Sequence, residues 1–157
     1  MNNKMNIFAT SPCPKESAKF LDNKRLVKMC LETTQILCTV INENAGEKIT
    51  PYKSTHKNHP CVKWAGESQE NFFWLNIHAM ELCGEYKIRF GKVHACTLIA
   101  SDLPLLDVEK IEQTPFVNCA ANKSLGLDFK HINNVHEAYK QYLKARWKLD
   151  KTPPKFN

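Results

Sequence analysis

The stretch Tyr52–His94, YKSTHKNHPCVKWAGESQENFFWLNIHAMELCGEYKIRFGKVH, decides how this chain is read. It opens on a polar, histidine-bearing loop, His56-Lys57-Asn58-His59-Pro60. From about Glu67 to Phe90 it predicts one long helix. Phe72, Leu75, Ala79, Leu82, Cys83, Tyr86 and Phe90 recur at three- and four-residue steps, the spacing of an apolar stripe. Gly91 then supplies the residue that most easily takes the left-handed conformation closing a helix. A second stripe, Glu67, Asn71, Trp74, His78, Glu81 and Glu85, runs at the same steps. Most polar stripes are solvated faces. Trp74 between Asn71 and His78 argues instead for a face that partly lines a site, since pockets mix aromatic and ionisable side chains.

Working outward, Pro60 predicts a short helix through Trp64, because proline is tolerated in a first helical turn. Upstream, a helical region from Lys15 to about Asn44 is interrupted at Asp22-Asn23, where either residue can cap the second segment. In that segment Val27, Cys30, Leu31, Thr34, Leu37, Cys38 and Ile41 are expected to face the core, with Arg25, Lys28, Glu32, Gln35 and Thr39 on the other face. Before it, Asn6–Thr10 reads as a short strand or extended arm, ended by Ser11-Pro12-Cys13-Pro14. Downstream, a helix is expected from Lys92 to about Ser101. Asp102–Asp128 is irregular, and a last helix spans Val135–Leu149. The expected architecture is all-α: a single compact helical domain over residues 1–157 with a long central helix. It has a short extended N-terminal arm, an extension at 1–4 and a tail at 150–157.

The composition fits a globular chain: 157 residues, 43% hydrophobic, only 5 Gly. The net charge of +6 is compatible with a nucleic-acid partner. MNNKMNIFATSP lacks the apolar core of a signal peptide and no run approaches membrane-spanning length, so a cytoplasmic protein with no membrane partner is expected. Its seven Cys are then reduced thiols, with Cys30, Cys38 and Cys83 as small core residues. The six His and seven Cys raise a metal site as an idea. His56, His59 and Cys61 are near one another in sequence, as are His94 and Cys96, but neither group has the paired spacing of a structural zinc site and there is no H-E-x-x-H. No metal or cofactor is expected on that basis.

Two other chemistries suit the residues better. Glu32 beside Lys28, with Glu67, His78 and Glu85 on the second helix, would form an acid–base pocket if the two mixed faces converged on the His56–His59 loop. Lys24, Arg25, Lys28, Lys53, His56, Lys57, Lys63, Arg89 and Lys92 bracket the same faces and could hold phosphates. Tyr52, Trp64 or Trp74 could stack a base.

These residues also carry a resemblance. Lys57-Asn58-His59-Pro60, then Trp64, then an aromatic helix ending Arg89-Phe90-Gly91-Lys92-Val93-His94, is similar to the pyrimidine-dimer DNA glycosylase (endonuclease V-like) family. It is closest to short phage and bacterial members that open M-N-I-F and carry K-R-L-V-K-M-x-L-E, Y-K-x-T-H-x-N-H-P and E-Y-x-x-R-F-G-K. Here those patterns fall at Met5–Phe8, Lys24–Glu32, Tyr52–Pro60 and Glu85–Lys92. The resemblance covers roughly Met5 to His94, with weaker similarity over Val135–Trp147. It implies an all-helical protein that binds duplex DNA, flips a nucleotide and cleaves an N-glycosidic bond. An amine attacks the sugar carbon to give a Schiff base, a glutamate assists, and strand cleavage can follow.

Two departures bear on chemistry. In the family the nucleophile is an α-amine exposed by removal of the first Met, whereas here Met1 precedes Asn2 and residues 1–4 extend beyond the M-N-I-F start. The residue after Arg25 is Leu26, where the family's catalytic Glu is expected, and Glu32 is the nearest acid on a suitable face. The resulting expectation is a DNA glycosylase with or without AP-lyase activity. Its catalytic candidates are Glu32, Lys28 and His59. DNA or nucleotide contacts are expected from Arg25, Lys24, Gln35, Tyr52, Lys53, His56, Asn58, Trp64, Glu67, Asn71, Trp74, His78, Arg89 and Lys92. The alternatives are an enzyme acting on a free nucleotide or modified base on the same scaffold, and a non-enzymatic nucleic-acid-binding accessory protein.

Overall fold

The structure, a computed structural model, describes residues 5–157; the expected extension at 1–4 lies outside the described residues. The chain is all-α. Its helices are α1 (Pro14–Phe20), α2 (Asn23–Ala45), α3 (Pro60–Glu67), α4 (Gln69–Phe90), α5 (Cys96–Asp102) and α6 (Val135–Leu149). A two-residue antiparallel pair, β1 (Ala121–Asn122) with β2 (Leu127–Asp128), interrupts the irregular segment before α6. Among the described residues, no helix is long and apolar enough to cross a membrane.

Local chemistry places most helix ends. Pro14 and Pro60 open α1 and α3, where a missing N–H costs nothing. Gly46 and Gly91 close α2 and α4 at φ 76° and 70°, backbone that only glycine takes without strain. The Asn134 side chain caps α6 by accepting the His136 and Glu137 amides. Two expected boundaries move: α5 starts at Cys96 rather than Lys92, and the break between α3 and α4 falls at Ser68. Ser68 is extended, and its hydroxyl accepts the Asn71 amide at 3.0 Å, so it separates α3 from α4. Glu67 therefore ends the short helix rather than starting the long one.

Helix α4 is central: it packs against α1, α2, α3 and α5. Its apolar stripe is buried from Phe72 through Leu82 and Cys83, with Tyr86 and Phe90 at the margin. On α2 the expected core residues Cys30, Thr34, Leu37, Cys38 and Ile41 are buried and Leu26, Met29, Ile36 and Val40 join them, whereas Val27 is 42% and Leu31 41% exposed. Helix α2 packs on three neighbours, α3, α4 and α5, and the side turned to them is set by these contacts together.

Both ends of the described span, residues 5–157, are packed against the helices. The arm from Met5 to Thr10 is buried but forms no strand. Asn6 Oδ1 accepts the Ile7 and Phe8 amides, which turns the chain, and Phe8 sits at φ 41°. A bulky residue in that region is strained by about 1–3 kcal/mol. It is held there by its ring, which stacks on Tyr142 and meets Tyr139 edge-on. At the other end, the carbonyl of Lys155 accepts the Asn23 amide at 2.7 Å and Phe156 abuts the Trp147 ring, so the tail lies against the start of α2.

Candidate functional site

Glu32 stands near the middle of α2 with only 8% of its surface exposed. One carboxylate oxygen accepts the backbone N–H of Asn6 at 3.1 Å, and the other lies 3.8 Å from the Lys28 ammonium, one turn earlier. Burial pushes the Glu32 carboxyl above the ordinary range; Lys28 and the Asn6 amide pull it back only in part. The Lys28 side chain is itself 59% exposed. The pair therefore places a solvent-facing amine beside a desolvated carboxylate. The N-terminal arm is seated against that carboxylate: Asn6 also donates through Nδ2 to the Cys119 carbonyl, and Cys61 Sγ approaches the Met5 carbonyl at 3.9 Å.

The histidine-bearing loop is tied to the same helix further along. Thr39 Oγ1 accepts the Thr55 amide at 3.0 Å and donates to the Gln35 carbonyl at 2.8 Å. Asn42 Nδ2 donates to the Tyr52 carbonyl. Tyr52 is half-buried with its hydroxyl 3.6 Å from Cys96 Sγ, while Lys53, His56 and Asn58 are exposed. His56 takes a left-handed φ of 51°, and its Nδ1 lies 2.7 Å from Thr55 Oγ1. His59 is half-buried; its Nδ1 accepts the Cys61 amide and so caps α3. Burial, then the neighbouring His56, holds the His59 imidazole below its ordinary pKa, so it is neutral at pH 7.

Other candidates are placed in the interior. Arg25 is buried in a bidentate pair with Asp150, at 2.6 and 3.1 Å, and reaches Asp22 at 3.2 Å. Arg89 pairs with Glu85 and donates to the Lys19 and Leu21 carbonyls, closing the open end of α1. Asn71 bonds the Trp64 carbonyl and Thr114. Trp64 and Trp74 pack on each other and on Phe116. Lys24, Glu67 and Lys92 are exposed, and Gln35 is half-buried. The mixed stripe of α4 thus holds α1 and the segment around Thr114 rather than facing Glu32. Sequence reasoning missed the arm at Asn6 and Cys119; only the M-N-I-F start hinted at the former.

His78 belongs to that interior group and yields a pH prediction. It is 0% exposed, stacks on Trp74, and donates from Nδ1 to the Pro14 carbonyl at 3.0 Å, leaving Nε2 without a partner. Burial drives its pKa down to about 4. A base whose folded-state pKa is depressed contributes stability above its ordinary value, near 6.5, and loses it as pH falls towards 4. Urea unfolding of the wild type should therefore lose up to about 3 kcal/mol between pH 7 and 4 from this residue alone. His78→Phe should flatten that part of the curve. Glu32, with its raised pKa, works in the opposite sense, so the comparison isolates His78.

Residues 5–97, more than half the chain, match the family model of the pyrimidine dimer DNA glycosylases. The chain belongs to that family. No curated protein and no solved structure matches it. The matched span of this pyrimidine dimer DNA glycosylase family member runs from Met5 through the start of α5. It contains both Glu32 and the arm seated on it, and membership brings a DNA glycosylase-type function on a DNA substrate at the level of the family.

Proposed function

We propose that the chain removes a damaged or modified base from duplex DNA, with Glu32 and a nearby amine as its chemical centre. The observation that carries this is the buried Glu32 carboxylate held between the Lys28 ammonium and the backbone of the N-terminal arm. A target sugar carbon is unreachable in a stacked duplex, so the nucleotide is flipped out first. An unprotonated amine then attacks C1′ and the glycosidic bond breaks with its electron pair leaving on the base, which takes a proton from solvent; the resulting glycosylamine opens its sugar ring, the C1′–O4′ bond breaking and O4′ taking up a proton, to leave C1′ as an iminium. Glu32 receives the proton the amine sheds and stabilises the cationic sugar. Lys28 or the chain's own α-amine is the nucleophile. Loss of the C2′ proton from that iminium would permit strand cleavage.

Lys53, His56 and Asn58 on the loop, with Lys24 and Lys92 beside it in the sequence pattern, are the exposed groups suited to phosphates. Arg25, Arg89, Asn71 and His78 act as positioning residues from the interior. Trp64 and Trp74 contribute through packing, since stacking a base would require them to separate from Phe116.

Borohydride trapping on duplexes bearing a thymine dimer, an abasic site and several modified bases tests the reading. A covalent protein–DNA adduct is expected, with peptide mapping assigning it to Lys28 or to the amino terminus. Base release without an adduct would replace the amine by water, with Glu32 retained. Tight binding with neither product would overturn the glycosylase reading and favour a binding protein or a free-nucleotide substrate.

A further inference from the structure

Three side chains from distant parts of the chain meet beside the arm. A ring nitrogen of His59 and the sulfurs of Cys61 and Cys119 all lie within 4.8 Å of one another. We propose that His59, Cys61 and Cys119 form a binding site for a thiophilic divalent cation, zinc in the first instance. Two thiolates and an imidazole are the donor set that zinc prefers, and three protein ligands leave one corner of a tetrahedral ion for water.

The backbone holds all three ligands in place. His59 and Cys61 bracket the first turn of α3, where the Lys63 amide bonds the His59 carbonyl at 3.0 Å. Cys119 is fixed from both sides: its amide donates to Tyr139 Oη at 3.0 Å and its carbonyl accepts from Asn6 Nδ2 at 3.0 Å. Asn118, its neighbour, bridges the Phe129 and Ile132 carbonyls and so anchors the loop that carries it. Cys61 is fully buried, whereas His59 and Cys119 are half-buried, which gives an ion a path in from solvent. Ligation through either ring nitrogen of His59 gives up the bond its Nδ1 now accepts from the Cys61 amide, because Nδ1 must then hold a metal or a proton. That is the loss of one helix cap, small beside a metal–ligand set.

An ion here would join α3 to the Cys119 loop; binding it deprotonates Cys61, which gives up the sulfur's contact with the Met5 carbonyl, while Asn6 still ties the arm to the Cys119 carbonyl. The arm itself is held to Glu32 through the Asn6 amide. The site is independent of whether the chain cleaves a glycosidic bond, and its test reads metal directly.

A second thiol–imidazole group, Cys30, Cys83 and His94, is closer to the core and serves as the comparison. The reduced, metal-stripped full-length protein is titrated with cobalt(II), following the thiolate-to-metal charge-transfer band, and its zinc content is measured after reloading and dialysis. The wild type should show the band. Cys119→Ser should remove one bound equivalent and weaken cobalt binding more than about 100-fold, beyond the range of outer-shell changes. His59→Gln, at a half-buried position, should weaken it in the same direction, and Cys83→Ala should leave that equivalent in place. Absence of a thiolate band in the wild type, or unchanged stoichiometry in Cys119→Ser, overturns the proposal.

Discussion

Glu32→Gln is expected to lower the rate of base release by about 10²–10⁴-fold, the range a positioned acid or base contributes. Affinity for duplex DNA should stay within about twofold, because the carboxylate is buried and faces the protein's own arm and Lys28. Glutamine keeps an oxygen for the Asn6 amide, so the arm stays seated. It also removes a charge that burial disfavours, so stability near neutral pH should hold or rise slightly. In the wild type, the acid limb of the rate profile should lie above the ordinary glutamate range, since Glu32 must be ionised to take a proton. That limb should disappear in the variant's residual activity. Single-turnover base release against pH, with binding measured on the same duplex, checks both parts. Unchanged turnover would remove Glu32 from the mechanism.

What the sequence made legible follows the range of the interactions involved. Pro60 and Gly91 act within a turn or two of themselves, and the helix ends they set are read directly from them, whereas Pro14, read as the end of the extended arm, is the first residue of α1. Lys28 and Glu32 were legible as neighbours for the same reason, four residues apart on one helix. The polar stripe on α4 was harder, because its partners are remote. Trp74 donates to the Pro12 carbonyl, His78 to that of Pro14, and Asn71 joins Thr114. Polar groups are buried when backbone elsewhere satisfies them, and a periodic pattern carries no trace of that backbone. Val27 and Leu31 erred the other way: apolar at helical spacing, yet solvent-facing, because α2 turns its core side by packing on α3, α4 and α5. The seat of the arm depends on Asn6 meeting Cys119 across 113 positions, a contact that spacing rules do not reach.

Arg25→Ala should have the largest effect on stability, about 3–5 kcal/mol, read as a drop in the urea midpoint with little change in slope. The guanidinium is buried between Asp22 and Asp150, and these carboxylates have few other partners: Asp22 retains the Trp147 indole at 2.7 Å, and Asp150 only an exposed lysine at 4.0 Å. Truncation leaves two acids facing each other, Asp22 buried and Asp150 half-buried, where the start of α2 meets the end of α6. Lysine is a poor substitute, since the bidentate geometry on Asp150 needs the planar fork. The same geometry predicts what will not change. A guanidinium fully engaged inside the protein neutralises no phosphate, so the salt dependence of DNA affinity in the folded variant should match the wild type. An exposed cation such as Lys53 should instead reduce the log–log slope by about one when removed, if it sits on a phosphate. A stable Arg25→Ala protein with a shallower salt slope would move this arginine out of the helix junction and onto the DNA.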